Sequence, residues 1–371
     1  MDKLEKKIFL PGLNGLRAIA ATAVVISHTN GKLAAFGLKQ ARYLDLAGFG
    51  VTIFFSLSGF LITYLLLIEK KEKGFIDIKK FYLRRVLRIW PLYYIYLFII
   101  LLLFKFYNIG NVYFLYLLLL PNFVNLFIGE FHWQKPTDTA MFNLGHYWSL
   151  GVEEQFYAFW PLIISKIKKL LPFLIIFPAL FFILKIVAKF SHFPVEIQNL
   201  LHYSRFGCLA LGGLGAYLYF NKSSIIIYFQ NKYFELLAWI ILVLISLNKF
   251  HIFSIIDHEI VTIITIIIIV NQLKESKKII NLENKYFDYL GKISFGLYVY
   301  NPLVITALIY LFGFFSIENS LLKHSLVYFS VLIFNIMVAH ISYNYFEKWF
   351  LKLKSKFTTI KSASNSKEAN E

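Results

Sequence analysis

Residues 51–68 read Val-Thr-Ile-Phe-Phe-Ser-Leu-Ser-Gly-Phe-Leu-Ile-Thr-Tyr-Leu-Leu-Leu-Ile, eighteen positions without a charge on any helical face. A helix on the surface of a soluble protein keeps one face polar, whereas a run of about 18 apolar residues is long enough to enter a bilayer. The same character returns at Ile95–Phe104, Leu236–Leu247, Ile260–Val270 and Leu326–Ala339. The 371 residues are 58% hydrophobic and 19% aromatic, with 16% charged, against about 25% charged in soluble domains. A soluble domain of this length would have to expose much of that apolar surface to water. The reading is an all-α integral membrane protein, a bundle of about ten transmembrane helices. The spans are expected near 13–33, 48–68, 87–106, 152–168, 172–190, 203–220, 234–249, 252–271, 290–313 and 324–346.

The formal net charge is +17. Its Lys and Arg residues gather between apolar runs: Lys70 to Arg88, Lys166 to Lys169, Lys274 to Lys292 and Lys352 to Lys361. All four clusters fall on one side if both termini are cytoplasmic, which is the usual orientation bias of membrane proteins. That accounts for the charge without nucleic acid; the expected partner is the lipid bilayer. Residues 112–128 are long enough to cross, but a crossing there would make the later clusters alternate sides. They are therefore expected as a re-entrant or interfacial segment. Residues 8–350 then form one membrane domain, and 351–371 a polar cytoplasmic tail without order. The charged start of the chain leads into an apolar run with no small-residue cleavage site, so the first span is expected to be retained. Cys208 is alone, and the histidines show no ligand spacing, so no metal is expected.

Ionisable groups inside spans are costly and point to function. Arg17 and His28 are eleven residues apart in the first span. At 100° per residue both lie on one face, separated by about 16 Å along the axis. A cation there suits an anionic donor, and an imidazole suits proton transfer near neutral pH. Both also fit a structural role, with Arg17 reaching lipid phosphate and His28 bonding a neighbouring helix. Ser58 and Gly59 either admit a ligand close to the backbone or serve helix contact. Arg84 and Arg88 share a face at the start of span three and, with Arg85, can clamp a phosphate or meet anionic headgroups. Glu153 and Glu154 precede Gln155 and Tyr157 at the mouth of an apolar span. Adjacent helical residues point about 100° apart, so the two carboxylates have different tasks. One orients a histidine or receives a hydroxyl proton; the other answers the helix dipole. Pro302 kinks span nine and turns Asn301 inward.

Four of these stretches together resemble the acyltransferase 3 family of membrane O-acyltransferases. They are Arg17-x10-His28, Phe54-Phe-x-Leu-Ser-Gly-Phe60, Arg84-Arg-x-x-Arg-Ile-x-Pro91 and Trp148-Ser-Leu-x-Val-Glu-Glu-Gln-Phe-Tyr157. The resemblance runs from about residue 8 to 350. It implies a bacterial cytoplasmic membrane enzyme that uses acyl-CoA, usually acetyl-CoA, and acylates a hydroxyl of a glycolipid, lipopolysaccharide or other polysaccharide. It implies that Arg17 and His28 are essential and that the arginines near Arg88 meet the CoA phosphates. The expected assignments are therefore His28, Arg17, Glu153 and Glu154 as catalytic, and Arg84, Arg85, Arg88, Ser58 and Gly59 as donor-binding. Trp148, Gln155, Tyr157 and Asn301 are expected at the acceptor. The late Tyr-rich stretch departs from the family, carrying Asn where a His-x-Pro pattern is common. Some members carry an added hydrolase-like domain; its absence here would favour direct transfer. A transporter or flippase for a lipid-linked sugar is the competing class. Such proteins show paired repeats, and the 145–157 stretch has no counterpart in the second half.

Overall fold

The computed structural model describes residues 6–41, 46–105, 109–191, 193–253, 255–358 and 360–363. Its helices, in chain order, are α1 (Leu13–Lys32), α2 (Ala47–Lys73), α3 (Ile78–Phe104), α4 (Tyr113–Leu117), α5 (Val124–Gly129), α6 (Asp138–Gly145), α7 (Tyr147–Lys166), α8 (Leu170–Phe190) and α9 (Val195–Ser204). They continue with α10 (Phe206–Phe220), α11 (Ser224–Phe229), α12 (Lys232–Ser246), α13 (Asp257–Gln272), α14 (Lys285–Lys292), α15 (Ser294–Phe312), α16 (Ser320–Ser342) and α17 (Lys348–Ser355). A π turn, Tyr343–Glu347, joins the last two. The fold is helical apart from β1 (Lys6–Phe9), which pairs in parallel with β2 (Ile360–Ala363) and ties the two ends of the described chain together.

Among the described residues, five helices are long and apolar enough to cross a membrane: α2, α3, α8, α15 and the run from Ser320 to Ser355. α10, α12 and α13 have 15, 15 and 16 residues. At 1.5 Å per residue they reach about 24 Å, short of the roughly 30 Å hydrocarbon core. The 112–128 segment is not one helix. It breaks into 3-10 turns at Gly110–Val112 and Pro121–Phe123 with α4 and α5 between and after them. Leu119 sits at a φ of 60°, and Pro121 cannot donate to a helical ladder. Of the stretch expected as a tail without order, 351–355 belongs to α17 and 360–363 to β2. Leu351 and Lys354, three residues apart, share one face of α17, which packs against α3. Residues 364–371 lie outside the described residues.

Sequence sets the ends of the central helices. Gly74 closes α2 in the left-handed conformation at φ 78°, with its N–H on the Lys70 carbonyl, and Lys70, Lys71 and Lys73 face the negative end of the dipole. Asp77 caps α3 by accepting from the Lys80 N–H at 3.0 Å, a bond that holds its carboxyl below the ordinary carboxylate range. α3 therefore begins nine residues before the expected 87 and carries Arg84, Arg85 and Arg88 on its first turns.

α2 is the central post. In its most apolar stretch 72% of residues are buried within the protein, against 22% for α8, which lies at the rim. α1, α7, α10 and α13 pack around it. The α2–α10 contact is the tightest. A Cβ on Gly59 would stand 1.9 Å from the Leu209 carbonyl oxygen, and one on Gly212 would stand 2.3 Å from that of Ser56. Close backbone approach through small residues is how helices associate where lipid supplies no hydrophobic drive. Gly59→Val therefore forces the two helices apart. The expected cost is at least ~2 kcal/mol, read as a lowered midpoint of thermal unfolding and a reduced yield of monodisperse protein in detergent.

Candidate active site

Two cavities open towards opposite ends of α1. The first, about 440 Å³, lies at the Lys70 end of α2 and is lined by α1, α2, α3, α7, α14, α15 and α17. It gathers Arg17, Arg84, Arg85, Arg88, Lys292 and Lys354 against Glu69 and Glu153. Arg84 pairs with Glu69 at 3.4 Å and donates to the Phe357 carbonyl at 3.1 Å. Lys292 pairs with Asp288 at 3.1 Å. Arg17 donates to Asn14 Oδ1 at 2.8 Å, and Asn14 in turn donates to Asp288 at 2.7 Å, which fixes the angle at which Arg17 leaves α1. Arg85 lies over the rings of Phe81 and Tyr157, at 5.7 and 5.4 Å, and its buried Nε has no partner among the described residues. Among the described residues neither Arg85 nor Arg88 has a carboxylate within 4.0 Å. An excess of guanidinium groups in a shielded pocket is the arrangement that binds phosphates.

Glu153 lies in this same cavity and accepts from the hydroxyls of Ser58 and Tyr157. Glu154 turns away, as the 100° offset requires, and accepts from Trp90 Nε1 at 2.9 Å. Gly59, expected beside a donor, faces α10 instead, because the next residue on a helix leaves the cavity face that Ser58 occupies. Gln155 is a brace: its amide donates to the Leu119 carbonyl at 3.1 Å and to Asn122 at 2.7 Å, holding the broken 119–123 segment on α7.

The second cavity, about 340 Å³, is lined by His28, Gly48, Phe49, His146, Trp148, His202, Tyr203, Arg205 and His258 among others. Val51 and Tyr298 line both cavities and form the partition between them. Tyr298 is pinned there, its hydroxyl bonded to Ser149 at 2.6 Å and to the His146 carbonyl at 2.9 Å. The four histidines of this cavity do not converge: among the described residues no three metal-ligating side chains form a group that could hold an ion.

His28 is oriented by a residue expected at the acceptor. Its Nδ1 lies 2.6 Å from Asn301 Oδ1. The cause is the next residue. Pro302 has no N–H, so it cannot bond the Tyr298 carbonyl four positions back. The Asn301 amide takes that place, donating to Tyr298 O at 2.5 Å. With Nδ2 committed to a carbonyl, Oδ1 must be the atom turned to His28, and Nδ1 must carry the ring proton. The basic nitrogen is then Nε2. Asn301 is fully buried, with its side chain against His28 and the Tyr298 carbonyl.

Arg17, Arg84, Arg85, Arg88, Ser58, Glu153 and Tyr157 thus meet in one cavity, and His28 and Trp148 in the other. Sequence reading gave no role to Lys354, Tyr298, His146 or His258. A buried cation or imidazole within an apolar helix was the available signal for Arg205 and His258.

The chain matches the acyltransferase domain of the acyltransferase 3 family over residues 10–344 and belongs to that family. It is 28% identical, over 94% of its length, to a Staphylococcus aureus (strain COL) protein named "Putative O-acetyltransferase", of which the match covers 58%. A protein of the same printed name in strain MRSA252 aligns with the same identity and coverage. It is 33% identical over 171 residues to "O-acetyltransferase OatA" of S. aureus strain NCTC 8325, covering 44% of this chain and 26% of that protein. The chain therefore spans a little over half the length of the relatives that it matches end to end. No solved structure matches it.

Asn301→Leu removes one hydrogen-bond partner of His28 and orphans the Tyr298 carbonyl. Nitrogen NMR of ring-labelled protein should show a protonated Nδ1 for His28 in the parent and a tautomer mixture in the variant. Thermal stability should fall by ~1–3 kcal/mol.

Proposed function

We propose that the protein transfers an acyl group, acetyl in the first instance, from acyl-CoA to a hydroxyl of a cell-surface or lipid-linked carbohydrate. The observation that carries this reading is the pair of cavities sharing the Val51–Tyr298 wall, one rich in guanidinium groups and one holding an oriented imidazole. The family supplies acyl transfer as the reaction class, and the printed names of the relatives supply oxygen as the acceptor atom.

In this reading the donor enters the cationic cavity. Arg84, Arg85 and Arg88 hold its phosphates, with Lys354 beside them, and Arg17 supports the chain towards the wall. The thioester reaches the Val51–Tyr298 partition. The acceptor enters the second cavity with its hydroxyl on His28. Nε2 takes the hydroxyl proton as the oxygen attacks the thioester carbonyl; the C–S bond breaks, and the proton passes to the departing thiolate. The products are an ester and free CoA. Asn301 keeps the imidazole in the tautomer that this step needs. Glu153, bonded to Ser58 and Tyr157, shapes the donor side and keeps those hydroxyls in place.

The shorter helices α1, α7, α10, α12 and α13 complete about ten crossings in the same reading. Both termini and the four basic clusters lie on the cytoplasmic side of a bacterial inner membrane, where acyl-CoA is found. The breaks within 112–128 support an interfacial or re-entrant path for that segment.

His28→Ala should lower acetyl transfer by about 10²–10⁴-fold, the usual contribution of general-base action, with acetyl-CoA binding retained. Arg88→Ala should do the reverse, raising the KM for acetyl-CoA about tenfold or more by loss of a charge-assisted contact. Following labelled acetyl-CoA with the protein in membranes separates the two; unchanged transfer in His28→Ala removes the proposal.

A further inference from the structure

Arg205 is buried, 3% exposed, in the wall of the second cavity. It stands at the junction of α9 and α10 at φ 45°, in the left-handed region that favours glycine. A strained non-glycine residue persists where the surrounding structure needs it, most often at ligand sites. Its guanidinium is only partly satisfied. Nη1 donates to the Gly48 carbonyl at 2.7 Å and to Thr52 at 3.1 Å, while the buried Nε has no partner among the described residues. Among the described residues no carboxylate lies within 4.0 Å of it. On the adjoining helix α13, Asp257 pairs with His251 at 2.5 Å, and Glu259 pairs through Oε1 with Lys185 at 2.6 Å, its buried Oε2 having no hydrogen-bond partner among the described residues. His258, against Thr52 at 2.9 Å, and His202, whose ring lies 5.3 Å from that of His258, bring no negative charge. A buried cation without a counter-ion is costly and is expected to be neutralised in the working complex. Trp148 covers one face of the guanidinium at 5.1 Å.

We propose that the acceptor is itself an anion, with a carboxylate or phosphate seated on Arg205 while its reacting hydroxyl meets His28. This rests on the acyl-transfer reading and narrows it from carbohydrates in general to acidic or phosphorylated ones. The cavity, about 340 Å³, has the size of a small-ligand site. Arg205 fixes which acceptor enters and how it is turned; the proton transfer stays with His28.

The test uses the full chain in membranes with labelled acetyl-CoA and two matched pairs of acceptor. One pair is a uronate-containing oligosaccharide and its carboxyl-reduced form; the other is a phosphorylated oligosaccharide and its dephosphorylated form. The charged member of one pair should be acetylated about 10–100-fold more efficiently than its neutral partner, and the pair that responds identifies the anion. Arg205→Met should erase that preference by raising the KM for the charged acceptor. Arg205→Lys, which keeps the charge but loses the planar fork, should retain part of it. The parent protein's preference needs no variant to fold; thermal unfolding checks both variants. Equal use of charged and neutral acceptors overturns the inference, as does a preference that survives Arg205→Met. His28-dependent turnover of acetyl-CoA without acetylation of any of the four overturns the inference alone. Absence of His28-dependent turnover overturns acyl transfer and the inference with it.

Discussion

Positive charge held inside a membrane bundle without matching carboxylates is the constraint on which the rest of the structure depends. Arg17, Arg85 and Arg88 face a common cavity, and Arg205 faces another. Each would be expelled from hydrocarbon unless helices screened it on all sides. The screening is what the packing supplies. α2 stands in the middle, α1, α7, α10 and α13 close around it, and Gly59 and Gly212 let α10 approach to backbone contact. In the proposed reading the cost of these cations is recovered when an anion arrives. The same logic separates the two cavities: the first suits a polyanion such as a CoA, the second a single charge.

The partition between them deals with the chemistry. In the proposed reaction a thioester and a hydroxyl that start on opposite sides must meet where neither leaks to water. Tyr298 and Val51 stand between, and the imidazole that would join the two reactants belongs to the far cavity. Its orientation traces to a backbone defect. Pro302 frees the Tyr298 carbonyl, Asn301 repairs it, and the repair aims an oxygen at His28. One dipeptide thereby places the wall and sets the tautomer.

Much of this was legible in the sequence. Uncharged runs such as 51–68 announced membrane helices, and the eleven-residue spacing placed Arg17 and His28 on one flank of α1. The 100° offset separated Glu153, which enters the arginine-rich cavity, from Glu154, which bonds Trp90. What spacing could not show is which helix each flank would meet. Arg17 and His28 share a flank yet line different cavities, because α2 and α15 divide the space between them. Gly59 sits one residue from Ser58 but faces α10, a choice made by tertiary packing. Lys354 follows the last span in a basic run that reads as topogenic; only the packing of α17 against α3 shows that it lines the arginine-rich cavity. Arg205 is a charge beside an apolar stretch, but its missing counter-ion is a fact of three dimensions.

The most direct test is a structure of the protein with a non-hydrolysable acetyl-CoA analogue bound in a membrane mimetic. The account predicts its phosphates among Arg84, Arg85, Arg88 and Lys354, and its acyl end against Val51 and Tyr298, facing His28. An analogue bound in the His28 cavity from the other end, or one whose acyl group points away from that wall, would contradict it.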